Sequence, residues 1–326
     1  MAARRLAEAG WGVTVASRGE RALPDELTGL TQHVTVDRAD AAALEQAADG
    51  ADVLVDVIPF SPADAEQLLA LGRRVGALIA ISSASVYTDE EGRSLDEATG
   101  PDDLPRLPVP IPESQPTIPT GDATYSTGKA AIERALLERS TVPATVIRPC
   151  AIYGRGDRQA REWHFVKRVL DGRDVVVLAY EGKSRFHTTS SENLGELIRR
   201  CAERPGMRVL NCGDPDPPTL LEISRAIAAA MAHEWEEVLL PGEPGGRVGQ
   251  TPWSVPDSHP VVVDMSAAEG EVGYRPVTDY RRGVGAACEW LVEATRGKDW
   301  RDVLPSHARY YGELFDYAAE DAYWRA

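Results

Sequence analysis

Ala77-Leu78-Ile79-Ala80-Ile81 is an unbroken apolar run that turns at once into Ser82-Ser83-Ala84-Ser85-Val86-Tyr87. A short apolar run without polar alternation reads as a strand buried on both faces, the condition of a parallel sheet covered by helices. Its end places hydroxyls at the carboxyl edge of that sheet, where open α/β folds bind ligands. A hydroxyl there can hydrogen-bond a substrate carbonyl; serines also end strands for turn chemistry alone.

Upstream, Val13–Ala16, Val34–Val36 and Val53–Ile58 read as further strands. Asp40–Ala48 reads as a helix between them. Ser61-Pro62 reads as an N-cap followed by proline at the first helical position, opening a helix to about Leu71. Strands alternating with helices predict the α/β class with a doubly wound parallel sheet. From Thr88 to Asp122 the chain is acidic and then proline-rich, too long for a plain connector, so it reads as a surface flap, a functional loop or a loose insertion. Thr124–Leu137 then reads as a helix and Ala144–Ile147 as a strand leading into Arg148-Pro149. The second half is mixed. Helices are expected at Glu162–Leu170, Glu192–Glu203 and Leu220–Met231, strands at Val175–Leu178 and Arg208–Asn211, and a Gly/Pro-rich stretch runs from Pro241 to Pro260.

The 326 residues suffice for about two domains, and 43% hydrophobic content excludes a disordered chain. A net charge of −16 repels phosphate backbones and anionic membranes, so nucleic acid is not an expected partner. Cys150, Cys201, Cys212 and Cys288 lack metal or redox spacing and suit buried thiols in a reducing compartment; no metal is expected. Without a membrane-length apolar run or a signal-peptide core, a cytoplasmic protein is expected.

The residues best suited to chemistry are Tyr125-Ser126-Thr127-Gly128-Lys129. An i, i+4 pair shares one helix face, so the Lys129 ammonium can lie beside the Tyr125 phenol, favour phenolate and lower the tyrosine pKa toward working pH. A tyrosine tuned in this way is an acid or base. The chain writes nearly all its positive charge as arginine and has four lysines, so a lysine four residues after a tyrosine is uncommon by chance. A solvated surface pair is the competing reading.

SSASVY, then YSTGK, then Arg148-Pro149-Cys150-Ala151-Ile152-Tyr153-Gly154 stand in the order of the strand-end, active-site and RPxxxYG motifs of a known family. FHTTSSENLGELI, VLNCGDP, Asp264, Gly273-Tyr274-Arg275-Pro276 and Gly283–Leu291 follow like its later signatures. The chain thus resembles, over nearly its whole length, the extended short-chain dehydrogenase/reductase superfamily of NAD(P)-dependent epimerases, dehydratases and reductases.

That resemblance implies a Rossmann-like core at 1–150 and 186–218, a smaller substrate lobe at 151–185 and 219–296, and a C-terminal extension at 297–326 that covers the cleft or packs on the core. It implies Tyr125 as general acid/base, Lys129 on the nicotinamide ribose, and Ser83, with Ser85 as fallback, on the reacting oxygen. Pro149 would face the nicotinamide carboxamide and Asp37 the adenine amino group. Backbone around Ile58 and Pro59 would line the ribose, and Arg185, with His187 close by, would lie at the substrate. Family members that prefer NAD carry an acidic residue at the end of the second strand. Here stand Ser17 and Arg18, which can accept a 2′-phosphate, so NADP is favoured over NAD; Arg18 as a plain surface residue is the other reading. The partner implied is a small-molecule secondary alcohol or ketone, such as a sugar or sugar nucleotide, and a homodimer is left open. Ala84 and Ser85 after Ser83 supply no extra acid, which disfavours dehydration.

The family pattern opens with a strand and a GxxGxxG loop that brings backbone to the pyrophosphate. This sequence opens at Ala2–Gly10, which reads as the helix after that loop. The expectations are a sheet lacking its first strand and weak cofactor binding, with a start farther upstream favoured over a degenerate relative or a substitute segment. The alternative function is a non-catalytic dinucleotide-binding regulator or an RNA-associated relative. Arg155-Gly156-Asp157, His233-Glu234-Trp235 and Gly245-Gly246-Arg247-Val248-Gly249 read as loop features without a function of their own.

Overall fold

Four strands form the parallel core. A computed structural model describes residues 1–20, 22–312 and 314–325. β1 (Thr14–Ser17) and β2 (Gln32–Thr35) form one parallel pair, while β3 (Val53–Asp56), β4 (Ala77–Ile81), β5 (Ala144–Pro149) and β9 (Arg208–Cys212) form a four-stranded parallel sheet in the order β3-β4-β5-β9. The sheet is therefore in two pieces. Among the described strands β1 bonds β2 alone and β3 bonds β4 alone. β4, flanked on both sides, is buried at all five positions, whereas β3 is half-buried over its first three.

Side-chain alternation along β4 serves two helical layers. Leu78 and Ala80 join a core with Leu68 of α3 (Pro62–Leu71) and Ile132 and Leu136 of α4 (Tyr125–Arg139). Ile79 and Ile81 join the opposite core with Leu6 of α1 (Ala2–Glu8), Leu197 and Ile198 of α6 (Ser191–Glu203) and Val272 of α8 (Ser266–Val272). Each such fully buried aliphatic side chain contributes about 2 kcal/mol over its exposed state. Arg4 and Arg5 further tie α1 to Glu192 at 2.6 and 2.7 Å.

Local signals explain the element starts. Asp40 caps α2 (Ala41–Ala48) through Ala43 N–H, and Ser61 caps α3 in a reciprocal box with Asp64, with Pro62 leading the helix. The strand expected to reach Ile58 stops at Asp56, because the Asp56 carboxylate accepts the Ile58 N–H at 3.0 Å and turns the chain.

A second hydrophobic core holds the rest. Trp163 and Phe165 of α5 (Trp163–Leu170), Leu220 and Ile223 of α7 (Leu220–Ala230), and Tyr280 and Leu291 of α9 (Tyr280–Thr295) meet around Trp253. β6 (Ala151–Tyr153) pairs with β8 (Thr188–Ser190), and β7 (Val175–Leu178) with β10 (Glu236–Leu239). The C-terminal helices α10 (Trp300–Val303), α11 (Pro305–Tyr311) and α12 (Tyr317–Trp324) pack on this core: Trp300 lies 6.0 Å from Trp163, and buried Arg168 meets the Leu314 carbonyl and the Glu320 carboxylate. Of the two roles expected for the tail, the described contacts show packing; Glu313 and Ala326 lie outside the described residues. Among the described residues no helix is long and apolar enough to cross a membrane.

Candidate active site

Thr124 starts α4. Its hydroxyl accepts the Thr127 N–H and the Thr127 hydroxyl accepts the Thr124 N–H, so the first helical residue is Tyr125. Tyr125, Lys129 and Glu133 then descend one face at four-residue spacing. Tyr125 has 44% of its surface exposed, whereas Lys129, one turn along, is buried at 2%. Glu133 lies deeper, bonded to Arg148 at 2.5 Å and to the Ser82 hydroxyl.

The Lys129 ammonium donates to the carbonyls of Pro59 at 2.6 Å and Ile81 at 2.7 Å. It lies 4.7 Å from the Phe60 ring centre and 5.4 Å from that of Tyr125, and the two rings are 6.1 Å apart. Desolvation lowers the lysine pKa to about 8, against the opposing pull of Asp56, Asp64 and Glu133. An ammonium has three donors. Two are taken by carbonyls, which leaves one N–H beside the Phe60 and Tyr125 rings.

Ser83 caps the short turn 84–86, its hydroxyl accepting the Ser85 N–H at 3.2 Å, and it lies close enough to the Tyr125 phenol to pull its pKa down. The structure thus brings Ser83, Ser85, Tyr125 and Lys129 to one place, with Ile58 and Pro59 beside them. The expected electrostatics differ. The Lys129 ammonium is turned to two backbone carbonyls, and the Tyr125 pKa stands above its ordinary value: desolvation raises it, Ser83 and Arg161 pull it back, and Asp96 pushes it further up. Helical spacing puts the two residues side by side but does not decide where a flexible ammonium points.

The other residues expected to meet cofactor or substrate lie on separate elements. Pro149 ends β5 in register with Cys212. Asp37 accepts the Ala39 N–H at 2.9 Å as a turn former. The Ser17 hydroxyl meets His33 Nε2 at 2.8 Å, and Arg18 pairs with Glu20 at 3.2 Å with both side chains 64% exposed, so the two groups proposed for a 2′-phosphate already have partners. An exposed ion pair of that kind is worth little and opens readily. Arg185 is exposed, with Glu222 in its field. His187 is not available to a substrate: it is 2% exposed, its Nε2 at 2.7 Å from the Asp214 carbonyl and its Nδ1 taking the Val263 N–H. Cys201, Cys212 and Cys288 are buried, Cys150 is half-buried, and all four are free thiols.

Several site residues escape sequence reasoning. Arg38 bonds Gln67 at 2.8 Å, meets the Asp56 carboxylate and lies 3.0 Å from Asp64, bracing the loop that carries Ile58 and Pro59. Desolvation works against the Asp64 carboxylate, yet the N–H groups of Phe60 and Ser61 and the Ser61 hydroxyl hold its pKa below the ordinary value. Phe60, 53% exposed, closes over Lys129. Asp96 takes both donors of Ser126. Each of these contacts joins residues whose pairing no local period announces; only the serine cap and Asp64 three residues on carried a readable signal.

No protein-family model matches the chain. A 148-residue stretch, 45% of this chain, is 24% identical to an uncharacterized protein of Methanocaldococcus jannaschii, and the match spans 40% of that protein's length. Solved structures align over far more. UDP-glucose 4-epimerase of Thermotoga maritima with UDP-glucose has a TM-score of 0.64 at 16% identity, over 90% of this chain and 94% of that one. WbmG of Bordetella bronchiseptica in complex with NAD has 0.63 at 18%, over 90% of each. UDP-glucuronic acid 4-epimerase of Bacillus cereus with UDP-glucuronic acid and NAD has 0.59 at 15%, over 89% and 95%. The chain shares the Rossmann-like α/β fold of these proteins.

Proposed function

We propose that the chain belongs to the extended short-chain dehydrogenase/reductase superfamily and is an NAD(P)-dependent oxidoreductase or epimerase acting on a secondary alcohol or ketone of a sugar or sugar nucleotide. The observation that carries the reading is the convergence of Tyr125, Ser83 and Lys129 at the carboxyl edge of β4, under an apolar mouth of Phe60 and Ile58. The fold-sharing proteins whose structures hold NAD and UDP-sugars support it.

The residues present fit a nicotinamide cofactor: the remaining Lys129 donor suits a ribose hydroxyl, and the exposed faces of Ile58 and Phe60 suit a flat apolar ring. Bound, that cofactor would supply and accept hydride. The Tyr125 phenol moves the proton of the substrate hydroxyl, and Ser83, close to the phenol, holds the same oxygen. A phenol held above its ordinary pKa stays protonated at neutral pH and so carries the proton that reduction of a carbonyl consumes. Closer approach of Lys129 as the cleft fills would favour the opposite direction. Ser17 and Arg18 carry local partners and the cited neighbours hold NAD, so NAD is the first cofactor to test and NADP the second. A two-part core at 1–150 and 186–218, the lobe at 151–185 and 219–296 and the extension at 297–326 form part of the same reading.

The test is to incubate the protein with NAD or NADP and a panel of nucleoside-diphosphate sugars, following epimer and ketone formation by NMR. Tyr125→Phe should lower turnover by about 10²- to 10⁴-fold while leaving the melting temperature unchanged, because it deletes one hydroxyl from a half-exposed ring. Equal turnover in that variant would remove the mechanism.

A further inference from the structure

We propose that Asp96, carried by the acidic loop that follows β4, is a positioning residue of the Tyr125 site: it fixes the first turn of α4 to the serine turn after β4 and sets the field at the phenol. The inference rests on the reading of Tyr125 as the acid/base.

Ser126 is fully buried, directly after Tyr125. Its N–H lies 2.9 Å from Asp96 Oδ2, and its hydroxyl lies 2.6 Å from the same oxygen and 2.8 Å from the Ser85 hydroxyl. A serine hydroxyl carries one hydrogen and a carboxylate only accepts. The Ser126 hydroxyl is the donor in both contacts, so its one hydrogen is shared between the Asp96 carboxylate and the Ser85 hydroxyl. The Ser85 N–H in turn donates to the Ser83 hydroxyl, which lies close to the phenol. A chain of hydrogen bonds thus runs from the loop through Ser126 and Ser85 to Ser83, the serine beside the phenol. Two features make Asp96 more than a helix brace. The Thr124–Thr127 box takes the N–H groups of those two residues, and Asp96 accepts the Ser126 N–H between them. Its charge also acts on Tyr125 against that of Arg161.

The groups facing the phenol are Ser83 from the turn after β4, Asp96 from the loop, Arg161 from the segment before α5, Phe60 from the loop after β3 and Lys129 from its own helix. Removing the Asp96 charge leaves Arg161 unopposed and favours phenolate.

The experiment titrates the Tyr125 phenol by ultraviolet difference absorbance, taking Tyr125→Phe as the blank, in the wild type and in Asp96→Asn. The expected result is a phenol pKa lower by about half a pH unit in Asp96→Asn, with the same displacement in the pH profile of kcat and a several-fold fall in kcat at unchanged KM. Asp96→Glu should restore the wild-type titration. Asp96→Ser serves if the asparagine variant does not fold. A wild-type titration in the charge-free variants overturns the proposal. Because the titration needs no turnover, it decides the role of Asp96 even if no sugar is turned over, an outcome that would count against the proposed function alone.

Discussion

The carbonyl oxygen of Phe60 lies 2.3 Å from where a Cβ on Gly128 would stand. The glycine in the middle of Tyr125–Lys129 is therefore a contact residue: α4 meets the loop after β3 backbone to backbone, and this closeness lets the Pro59 carbonyl reach Lys129 at 2.6 Å. Glycine costs about 1 kcal/mol in a helix interior relative to alanine. Here that cost is offset by the approach it permits.

Gly128→Ala tests this balance. Helix propensity alone predicts stabilisation by about 1 kcal/mol, whereas an added methyl against backbone costs about 1–3 kcal/mol. The contact is with a main-chain oxygen, which cannot swing aside as a side chain can, so destabilisation wins. The melting temperature should fall by about 2 °C, and NAD affinity, measured by titration calorimetry, should fall with it as the Pro59–Lys129 contact opens. A more stable variant would show that the loop yields without cost.

How far a sequence carries the argument can be seen at this same contact. Strand β4 was legible because burial on both faces leaves an unbroken apolar run, and α3 because Ser61, Pro62 and Asp64 form a cap within four residues. Strand β8 was not. Thr188, Thr189 and Ser190 are polar, yet fully buried, because Asp214 and the Cys212 carbonyl satisfy their hydroxyls and N–H groups from more than twenty residues away. The site divides in the same way. Tyr125, Lys129 and Ser83 could be placed from spacing and order, while Asp96, Arg38 and Phe60 reach the cleft through loops whose path no periodicity encodes. The direction of the Lys129 ammonium was equally hidden, since it depends on one carbonyl from the loop after β3 and one from the end of β4.

Lys129 makes stability depend on pH in a definite sense. Its folded pKa of about 8 lies below the ordinary lysine value, so the unfolded chain holds the proton more tightly than the folded one. Stability arising from this group is least below pH 8 and grows as pH rises from the folded pKa toward the unfolded one. Lys129→Met removes the dependence. The difference in melting temperature between wild type and variant should move in favour of the wild type from pH 8 to pH 10, whatever its value at neutral pH. A constant difference over that window would mean that the ammonium is not desolvated in the folded protein.

The Arg148–Glu133 pair offers the sharpest test of what holds the end of β4. Both side chains are nearly inaccessible, the pair is closed at 2.5 Å, and further bonds come from the Ser82 hydroxyl to Glu133 and from Arg148 to the Glu113 carbonyl at 3.1 Å. The guanidinium also lies 4.8 Å from the Tyr87 ring centre. Removing one partner strands the other charge in the interior, which costs about 3–5 kcal/mol, whereas replacing both with apolar groups of similar volume costs far less. Glu133→Leu and Arg148→Met should each destabilise the protein strongly in urea unfolding, and the double variant combining them should unfold at a higher urea concentration than either. Because Ser82 directly precedes Ser83, the single variants should also lower kcat more than they raise KM. Additive losses in the double variant would show that the two charges do not depend on each other, and that the end of β4 is held by packing alone.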